Sequence, residues 1–121
     1  MPKLTEAQFS AQVEDLLKIF GWRYVHFRPA RILKNHQESW RTPMTGNKGS
    51  PDIIAVRGNR LLFAELKSDE GELSLEQEEW LAALKACHIF VGLDERNNAL
   101  YLPEVYLWKP EDIEEIQKIL E

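Results

Sequence analysis

The chain has 121 residues, a length that suits a single domain over residues 1–121 with one hydrophobic core. Its 44% hydrophobic and 29% charged residues are typical of globular proteins, and no apolar run is long enough for a membrane span, so we expect no membrane partner. The single Cys87 cannot form an internal disulfide, and the first residues lack the apolar stretch of a signal peptide. These features predict a reducing, cytoplasmic setting.

The formal net charge of −5 is distributed unevenly along the chain. Residues 23–67 hold nine Lys or Arg and three acids, whereas the remainder holds six basic and seventeen acidic residues. A polyanion would be attracted to the basic region and repelled by the acidic remainder, and would therefore be oriented as it binds. Chance clustering of surface charge is the alternative explanation.

The first predicted element is an amphipathic helix. Thr5 is a suitable N-cap, and apolar residues recur at helical spacing until Gly21 ends the segment. Residues 22–28 are mostly β-formers and predict a strand that ends at Pro29. Residues 30–51 are polar and basic without a clear period, and they predict a long loop of the kind that is usually functional or mobile.

The most informative stretch is residues 51–67. Two β-rich runs are separated by Gly58-Asn59, which predicts a hairpin with a two-residue turn in which the glycine has a positive φ. The antiparallel ladder that follows from this turn places Asp52 directly opposite Glu65. The sequence therefore predicts that two acids from neighbouring strands lie face to face.

Beyond this hairpin the pattern predicts a second helix, a third core strand and an accessory C-terminal region. A capping box of Ser74 and Gln77 opens the helix, which ends near Cys87. The later elements are a core strand at 88–93, short strands at 100–102 and 105–108, and a last helix from Pro110 to Leu120. The predicted order is αβββαβ followed by an accessory strand and helix, which is an α/β (α+β) class.

The predicted hairpin places acidic and basic side chains together at its open end. Opposed residues of an antiparallel pair have Cβ atoms about 4.5–5.5 Å apart, so Asp52 and Glu65 need a cation to offset their repulsion. Lys67 shares their face because side chains alternate along a strand. Carboxylates suit Mg²⁺ or Mn²⁺, and Lys67 would orient or deprotonate a water that attacks a phosphodiester. The alternative is an exposed strand end with a Glu65-Lys67 surface pair.

These residues resemble a known nuclease signature. Gly49-Ser50-Pro51-Asp52 followed by Glu65-Leu66-Lys67 is similar to the PD-(D/E)xK motif. Further features resemble the VRR-NUC (virus-type replication-repair nuclease) domain, namely Gln77 soon after the lysine, Gly21-Trp22-x-Tyr24-x-His26, and Trp108-Lys109-Pro110. The resemblance covers nearly the whole chain. It implies the restriction-endonuclease-like fold, with an αβββαβ core and a mixed central sheet flanked by helices.

The resemblance also implies an activity and a setting. The expected function is Mg²⁺- or Mn²⁺-dependent hydrolysis of DNA, by an endonuclease that acts on structured or branched DNA in replication, repair or recombination. The expected location is the cytoplasm of a bacterial or phage-infected cell. The alternatives are a DNA-binding module that has lost turnover and a purely structural interaction protein. A homodimer that acts on both strands is also a candidate arrangement.

Cation ligands follow from the same resemblance. Asp52, Glu65 and the backbone carbonyl of Leu66 are expected to contact the cation, together with an acid on the first helix. On a helical wheel, Glu6 lies within roughly 40° of the centre of the apolar face and Glu14 more than about 100° away. We therefore predict Glu6, for which the alternative is a favourable charge in a helix first turn.

The remaining candidates each have a structural alternative. Gln77 is expected either to hold a water or phosphate near the cation or to serve only its capping box. His26 is expected to contact phosphate or to be a hydrogen-bonded structural histidine. Trp80 and Trp108 are predicted to lie in the core. Further predicted DNA contacts, for which solvated surface charge is the alternative, are Arg28, Arg31, Lys34, His36, Arg41 and Lys48, with Trp40 as a base-stacking residue.

Overall fold

The computed structural model describes residues 3–27, 30–34, 37–41 and 45–121. Within these ranges the chain forms three α-helices and eight strands. In chain order they are α1 (Glu6–Ile19), β1 (Arg23–His26), β2 (Ala30–Lys34), β3 (Gln37–Arg41), β4 (Ile53–Arg57), β5 (Arg60–Leu66), α2 (Leu75–Ala86), β6 (Ile89–Leu93), β7 (Ala99–Leu102), β8 (Glu104–Trp108) and, after a 3₁₀ turn at Pro110–Asp112, α3 (Ile113–Leu120). The chain is thus a mixed α and β protein.

One mixed sheet of four strands organises these elements. Its order is β1-β4-β5-β8. The first three strands are antiparallel neighbours, and β8 runs parallel to β5. Two further hairpins, β2–β3 and β6–β7, form separate two-stranded sheets. The prediction of an α/β class with a mixed sheet is confirmed at this level.

The hairpin of β4 and β5 has the predicted register. Gly58 has a φ of +60° at the turn, and the ladder pairs Arg57 with Arg60 and continues to Ile53 opposite Ala64. The next step along this ladder brings Asp52 beside Glu65. The two-residue turn therefore fixes the register of the strands that carry the candidate site.

The helix starts are fixed by reciprocal caps. In α1 the Thr5 hydroxyl accepts from Gln8 N–H at 3.1 Å, and the Gln8 side chain accepts from Thr5 N–H at 2.9 Å. In α2 Ser74 and Gln77 make the same pair of bonds, at 3.2 and 2.9 Å. Each box satisfies amide groups that have no partner within the helix. The predicted N-cap and capping box are confirmed.

The core lies between one face of the sheet and the helices α1 and α3. It contains Phe9, Val13, Leu17, Trp22, Ile53, Ala55, Leu62, Ala64, Leu66, Trp108, Ile116 and Leu120. Burial of each large apolar side chain contributes roughly 1.5–3 kcal/mol. On β5 the buried positions Leu62, Ala64 and Leu66 alternate with Glu65, which therefore projects from the other face of the sheet. Trp108 is a core residue, as predicted.

Two arginines join the turn of the hairpin to the end of the chain. Arg57 Nη1 donates to the carbonyls of Phe20 and Leu120, and Arg60 Nη1 donates to that of Ile119. Both guanidinium groups lie 4.9 Å from the centroid of the Trp22 ring. The repulsion between these paired cations is thus offset by helix-terminal carbonyls and an aromatic face.

Two predicted elements are wrong. Residues 30–34 and 37–41 form the β2–β3 hairpin instead of a loop, and this hairpin is a separate two-stranded sheet. Its sequence has no clear hydrophobic period from which the strands could be predicted. Residues 89–93 pair only with β7 within the described ranges, and Phe90 and Leu93 are more than half exposed. The strand that joins the central sheet beside β5 is β8. A short apolar run alone does not distinguish a core strand from a peripheral one.

Within the described ranges, none of the helices has the length and the apolar composition that a membrane span requires.

Candidate functional site

A cavity of about 640 Å³ lies where the open end of the β4–β5 hairpin meets the starts of α1 and α2. It is lined by Glu6, Ala7, Ser10, His26, Phe27, Asp52, Glu65, Leu66, Lys67 and Gln77. Seven of these residues belong to the sequence-predicted site, and they come from five separate parts of the chain, at residues 6, 26, 52, 65–67 and 77. The fold therefore brings together residues that are up to about 70 positions apart in the sequence.

Asp52 is held by backbone contacts on two sides. Its Oδ2 accepts from Leu66 N–H at 3.0 Å, and its own carbonyl accepts from Phe27 N–H at 2.7 Å. The first bond ties the acid to β5 and the second ties its backbone to the segment after β1. The carboxylate thus has a defined position at the edge of the cavity.

Glu65 is the most deeply buried acid of the site, with a side-chain exposure of 2%. Its Oε1 accepts from Gln77 Nε2 at 2.8 Å and lies 3.8 Å from Lys67 Nζ. Its Oε2 is buried and has no hydrogen-bond partner among the described residues. A buried carboxylate oxygen without a donor is costly, so this position calls for a proton or a cation.

The protonation of Glu65 reflects this environment. Burial and, after it, the nearby Asp52 carboxylate raise its pKa from 4.5 to about 8, although the Lys67 ammonium opposes both effects. Loss of hydration disfavours the charged form, and a neighbouring like charge adds to that effect. The two acids therefore do not both ionise readily near neutral pH unless positive charge is added between them.

Gln77 serves two purposes at once. Its Oε1 accepts from Ser74 N–H at 2.9 Å in the helix cap, while its Nε2 donates to Glu65 at 2.8 Å. The capping role predicted from the sequence is confirmed, and the same amide also supplies a donor to Glu65; a contact of Gln77 with water or phosphate stays a prediction. The cap of α2 orients the donor toward the acid.

The segment before Asp52 lies tightly against the start of α2. Gly49 has a φ of +96°, and a Cβ built on it would lie 2.6 Å from the Glu76 carbonyl carbon and 2.8 Å from Gln77 N. Nearby, Trp80 Nε1 donates to the Asn47 carbonyl at 3.2 Å. Only glycine fits where the backbone at residue 49 comes so close to the backbone of α2, which explains why this residue is a glycine. Trp80 is half-buried and binds this segment, so its predicted core location is only partly correct.

The positions of Glu6 and Glu14, the two candidate acids of α1, differ in part from the helical-wheel prediction. Glu6 is exposed and lies at the cavity wall, whereas Glu14 does not line the cavity. Glu14 was predicted to point away from the sheet, and this is wrong: its side chain is 15% exposed, and it binds Tyr24 and His26 of β1. The helical wheel locates only the apolar stripe that faces the core. Strand β1 packs beside that stripe and so contacts Glu14. Glu6 as a cation ligand stays a prediction.

The predicted DNA contacts fall into three groups. His26 lines the cavity, and Lys48 is exposed on the segment that leads to Asp52. Arg28 and His36 lie outside the described residues. The backbones of four others lie on β2 or β3: Arg31, Lys34, Trp40 and Arg41. Only His26 is thus brought into contact with the candidate site by the described structure.

A divalent cation fits the donors at this site. Mg²⁺ is usually bound by one or two carboxylates, and its other positions are taken by waters and substrate phosphates. Asp52 and Glu65 supply two carboxylates, and Glu65 Oε2 supplies a buried oxygen with no hydrogen-bond partner among the described residues. No cluster of three or more His, Cys, Asp or Glu suited to a metal occurs within the described ranges. The two carboxylates match the number that Mg²⁺ usually takes from a protein.

A second concavity, of about 450 Å³, lies at the other end of the hairpin. Its walls include Arg57, Arg60 and Glu104. Arg60 forms a two-bond ion pair with Glu104, at 2.7 and 2.9 Å, and both arginines also bind carbonyls near the end of α3. These contacts give the arginines a structural role, so the carboxylate cavity is the stronger candidate site.

Sequence reasoning missed the pair of Glu14 and His26 and the close approach of Gly49. Glu14 and His26 are joined by packing of a helix on a strand, for which no local motif exists. The sequence marks Gly49 only as part of a motif, and its close approach to α2 depends on tertiary packing.

Comparison with protein-family models, with curated proteins and with solved structures finds no match to this chain.

Proposed function

We propose that this chain is a metal-dependent nuclease that hydrolyses DNA phosphodiester bonds. The observation that carries the proposal is the buried Glu65 carboxylate, which lies beside Asp52 and Lys67 with one oxygen lacking a hydrogen-bond partner among the described residues. Structural ion pairs normally satisfy both oxygens of a buried acid. A group that is kept buried, repelled and incompletely bonded is typical of a functional site.

Asp52, Glu65 and the Leu66 carbonyl would hold Mg²⁺ or Mn²⁺, with Glu6 as a further candidate from α1. When bound, the cation supplies Lewis acidity at the phosphoryl group. Hard oxygen donors favour these ions over softer metals. The mutual repulsion of the two acids, which raises the pKa of Glu65, is then offset by the added charge.

The chain's own groups account for the remaining steps. Lys67 is 18% exposed, lies 3.8 Å from Glu65 and lines the cavity. As an ammonium it can orient the attacking water, and as a neutral amine it can accept the proton of that water. Gln77 holds Glu65 Oε1 in place. The phosphodiester would enter the open cavity, where the water attacks phosphorus and the sugar oxygen leaves.

The fold also supports this proposal. A mixed sheet with an antiparallel hairpin, a helix before it and a parallel strand after it is the arrangement expected of a restriction-endonuclease-like αβββαβ core. In this interpretation β8 is the last core strand, and the β6–β7 hairpin is an insertion between α2 and β8. Structured or branched DNA is the substrate class that follows from the resemblance.

The test is a cleavage assay with the full chain on plasmid DNA and on a branched oligonucleotide. Cutting should occur with Mg²⁺ or Mn²⁺, should stop with EDTA, and should fall by at least about 100-fold in Lys67→Ala. Metal-dependent binding without cutting would instead favour a DNA-binding module that lacks turnover. Cutting that persists in EDTA or in Lys67→Ala would refute the proposed mechanism.

A further inference from the structure

Phe27 lies in one row with the two acids of the candidate site. The antiparallel register of β1 and β4 pairs His26 with Ile53, so the next pair along the ladder is Phe27 and Asp52. The Phe27 N–H donates to the Asp52 carbonyl at 2.7 Å, which continues the pairing by one step. On the other side, the register of β4 and β5 brings Asp52 beside Glu65. The row therefore crosses three neighbouring strands of the sheet.

The three side chains of this row project from the same face of the sheet. Residues directly opposite each other in an antiparallel pair share a face, with Cβ atoms about 4.5–5.5 Å apart. Ile53 and Ala55 are buried in the core with α1, and side chains alternate along a strand, so Asp52 lies on the other face. Phe27 and Glu65 therefore lie on that face, one on each side of Asp52.

The two ends of the row differ in their contact with solvent. At the β5 end, Gln77 of α2 donates to Glu65 at 2.8 Å, and Glu65 is 2% exposed. At the β1 end, Phe27 is 39% exposed, and Val25, two residues earlier on the same face, is 44% exposed. Apolar groups in contact with water cost free energy. Two neighbouring ones beside a charged cavity indicate a surface that a ligand covers.

The position of the ring indicates which part of a ligand it meets. Phe27 lines the same cavity as Asp52 and Lys67, and β1 is the end strand in the order β1-β4-β5-β8. A phosphodiester held at the two acids carries one nucleoside on each side. Because Phe27 is the neighbour of Asp52 in the row, one of these nucleosides lies over its ring.

The chemistry of the wall favours a contact with a base over a contact with a phosphate. Glu6, Asp52 and Glu65 all line the cavity, and their negative charge repels the phosphates of a DNA strand. Stacking of a base on an aromatic ring supplies binding free energy without any charge, and every base has a flat face for it. Phe27 provides such a ring beside the acids.

We propose that Phe27 stacks on a nucleobase of the bound DNA strand, in the nucleotide next to the phosphodiester that is cleaved. This inference rests on the proposed nuclease function and deepens it, because it names a group that holds the substrate beside the acids. The stacking residue predicted from the sequence was Trp40, so Phe27 is an additional contact. It meets the face of the base and therefore favours no particular sequence.

The experiment compares intact DNA with DNA that lacks a single base. The position of cutting in a labelled branched oligonucleotide is first mapped with the full chain and Mn²⁺. Two further oligonucleotides carry an abasic residue on one or the other side of that position. The affinity for each is then measured with Mn²⁺ in the Lys67→Ala background. Phe27→Leu is the decisive variant, because leucine keeps an apolar side chain but has no ring face.

We expect one of the two abasic substitutions to weaken binding by about 5- to 100-fold. Phe27→Leu should weaken the binding of intact DNA by a similar factor. It should bind this abasic DNA as tightly as the protein with Phe27 does, because both changes remove the same contact. Phe27→Trp should retain most of the affinity for intact DNA, since its ring also stacks. Chemical denaturation verifies that both variants fold.

Phe90→Leu is the matched control. Phe90 is 59% exposed on β6 and lies outside the cavity, so loss of its ring should leave the affinities for intact and abasic DNA unchanged. Full affinity in Phe27→Leu, or an equal loss for intact and abasic DNA, would overturn the stacking contact while nuclease activity stands. A lack of effect of both abasic substitutions would do the same. A wild-type chain that neither binds nor cuts DNA would overturn both proposals.

Discussion

Gln77 donates from Nε2 to Glu65 Oε1 at 2.8 Å while its own Oε1 accepts from Ser74 N–H at 2.9 Å. One amide therefore links the start of α2 to the buried acid of the candidate site. A change at Gln77 affects helix capping and site geometry together, and the two effects can be separated by the choice of substitution.

Gln77→Glu should separate them. Glutamate at this position preserves a capping box, so the start of α2 should keep its cap. A third carboxylate would face the buried Glu65 in place of the amide donor, so stability should fall by about 1–3 kcal/mol and cleavage by at least about 10-fold. Gln8→Glu in the equivalent cap of α1 is the matched control, because Gln8 does not line the cavity. Chemical denaturation and cleavage rates measure the two effects. Equal losses of activity in both variants would refute the link.

Gly49→Ala should change the geometry of the candidate site indirectly. The added Cβ would meet backbone atoms of Glu76 and Gln77 at 2.6–2.8 Å, so either the segment before Asp52 or the start of α2 must move. We expect a loss of about 1–3 kcal/mol in stability and reduced cleavage.

Gly46→Ala is the control for this clash. Gly46 also has a positive φ, of +106°, but a Cβ there meets no atom within 4 Å. Gly46→Ala therefore measures only the free energy that alanine costs at a positive φ, without a steric clash. Denaturation curves that place the two variants at the same stability would show that the close approach of Gly49 is unimportant.

The raised pKa of Glu65 predicts how stability depends on pH without metal. The folded protein binds this proton more tightly than the unfolded chain does, since burial and Asp52 raise the pKa from 4.5 to about 8. This contribution is fully present below about pH 4.5 and is lost as the pH rises through about 8, at no more than about 1.4 kcal/mol per pH unit.

Glu65→Gln should remove this pH dependence, because the amide does not titrate. In EDTA, the stability of the wild type relative to Glu65→Gln should fall between pH 5 and pH 8, and Mn²⁺ should restore it in the wild type by mass action. Thermal melts across this range provide the measurement. A constant difference between the two proteins would rule out the proposed protonation.

Lys67→Ala should separate metal binding from turnover. The lysine is proposed to act on the attacking water and is not a cation ligand, so Mn²⁺ affinity should change by less than about 10-fold while cleavage falls by about 100- to 10,000-fold. Calorimetry and a cleavage assay on the same preparation test this. Loss of Mn²⁺ binding in Lys67→Ala would assign the lysine a different role.

The sequence predicted the parts of the fold that local chemistry determines. The Gly58-Asn59 turn determined the register of β4 and β5, and the Ser74–Gln77 pattern identified the start of α2. The grouping of Asp52, Glu65 and Lys67 could also be predicted, because these residues lie within about 15 positions of one another along that hairpin. Turn type and side-chain alternation fix such positions without knowledge of the tertiary fold.

The missed features depend on tertiary packing. β6 and β8 both carry short apolar runs, at residues 89–91 and 105–108, yet within the described ranges β8 is the one that pairs with β5, because a run of this kind does not determine which strand it joins. The position of Glu14 against His26 likewise depends on how α1 packs on β1. Neither relation leaves a local pattern in the sequence.

The central claim is that Asp52 and Glu65 share one divalent cation, and direct titration with Mn²⁺ tests it most simply. Calorimetry on the metal-free wild type, on Asp52→Asn and on the double variant with Glu65→Gln gives the affinities, with circular dichroism to verify folding. We predict saturable binding by the wild type, a loss of at least about 10-fold in Asp52→Asn, and no measurable binding by the folded double variant. Wild-type affinity in the folded double variant would contradict the claim.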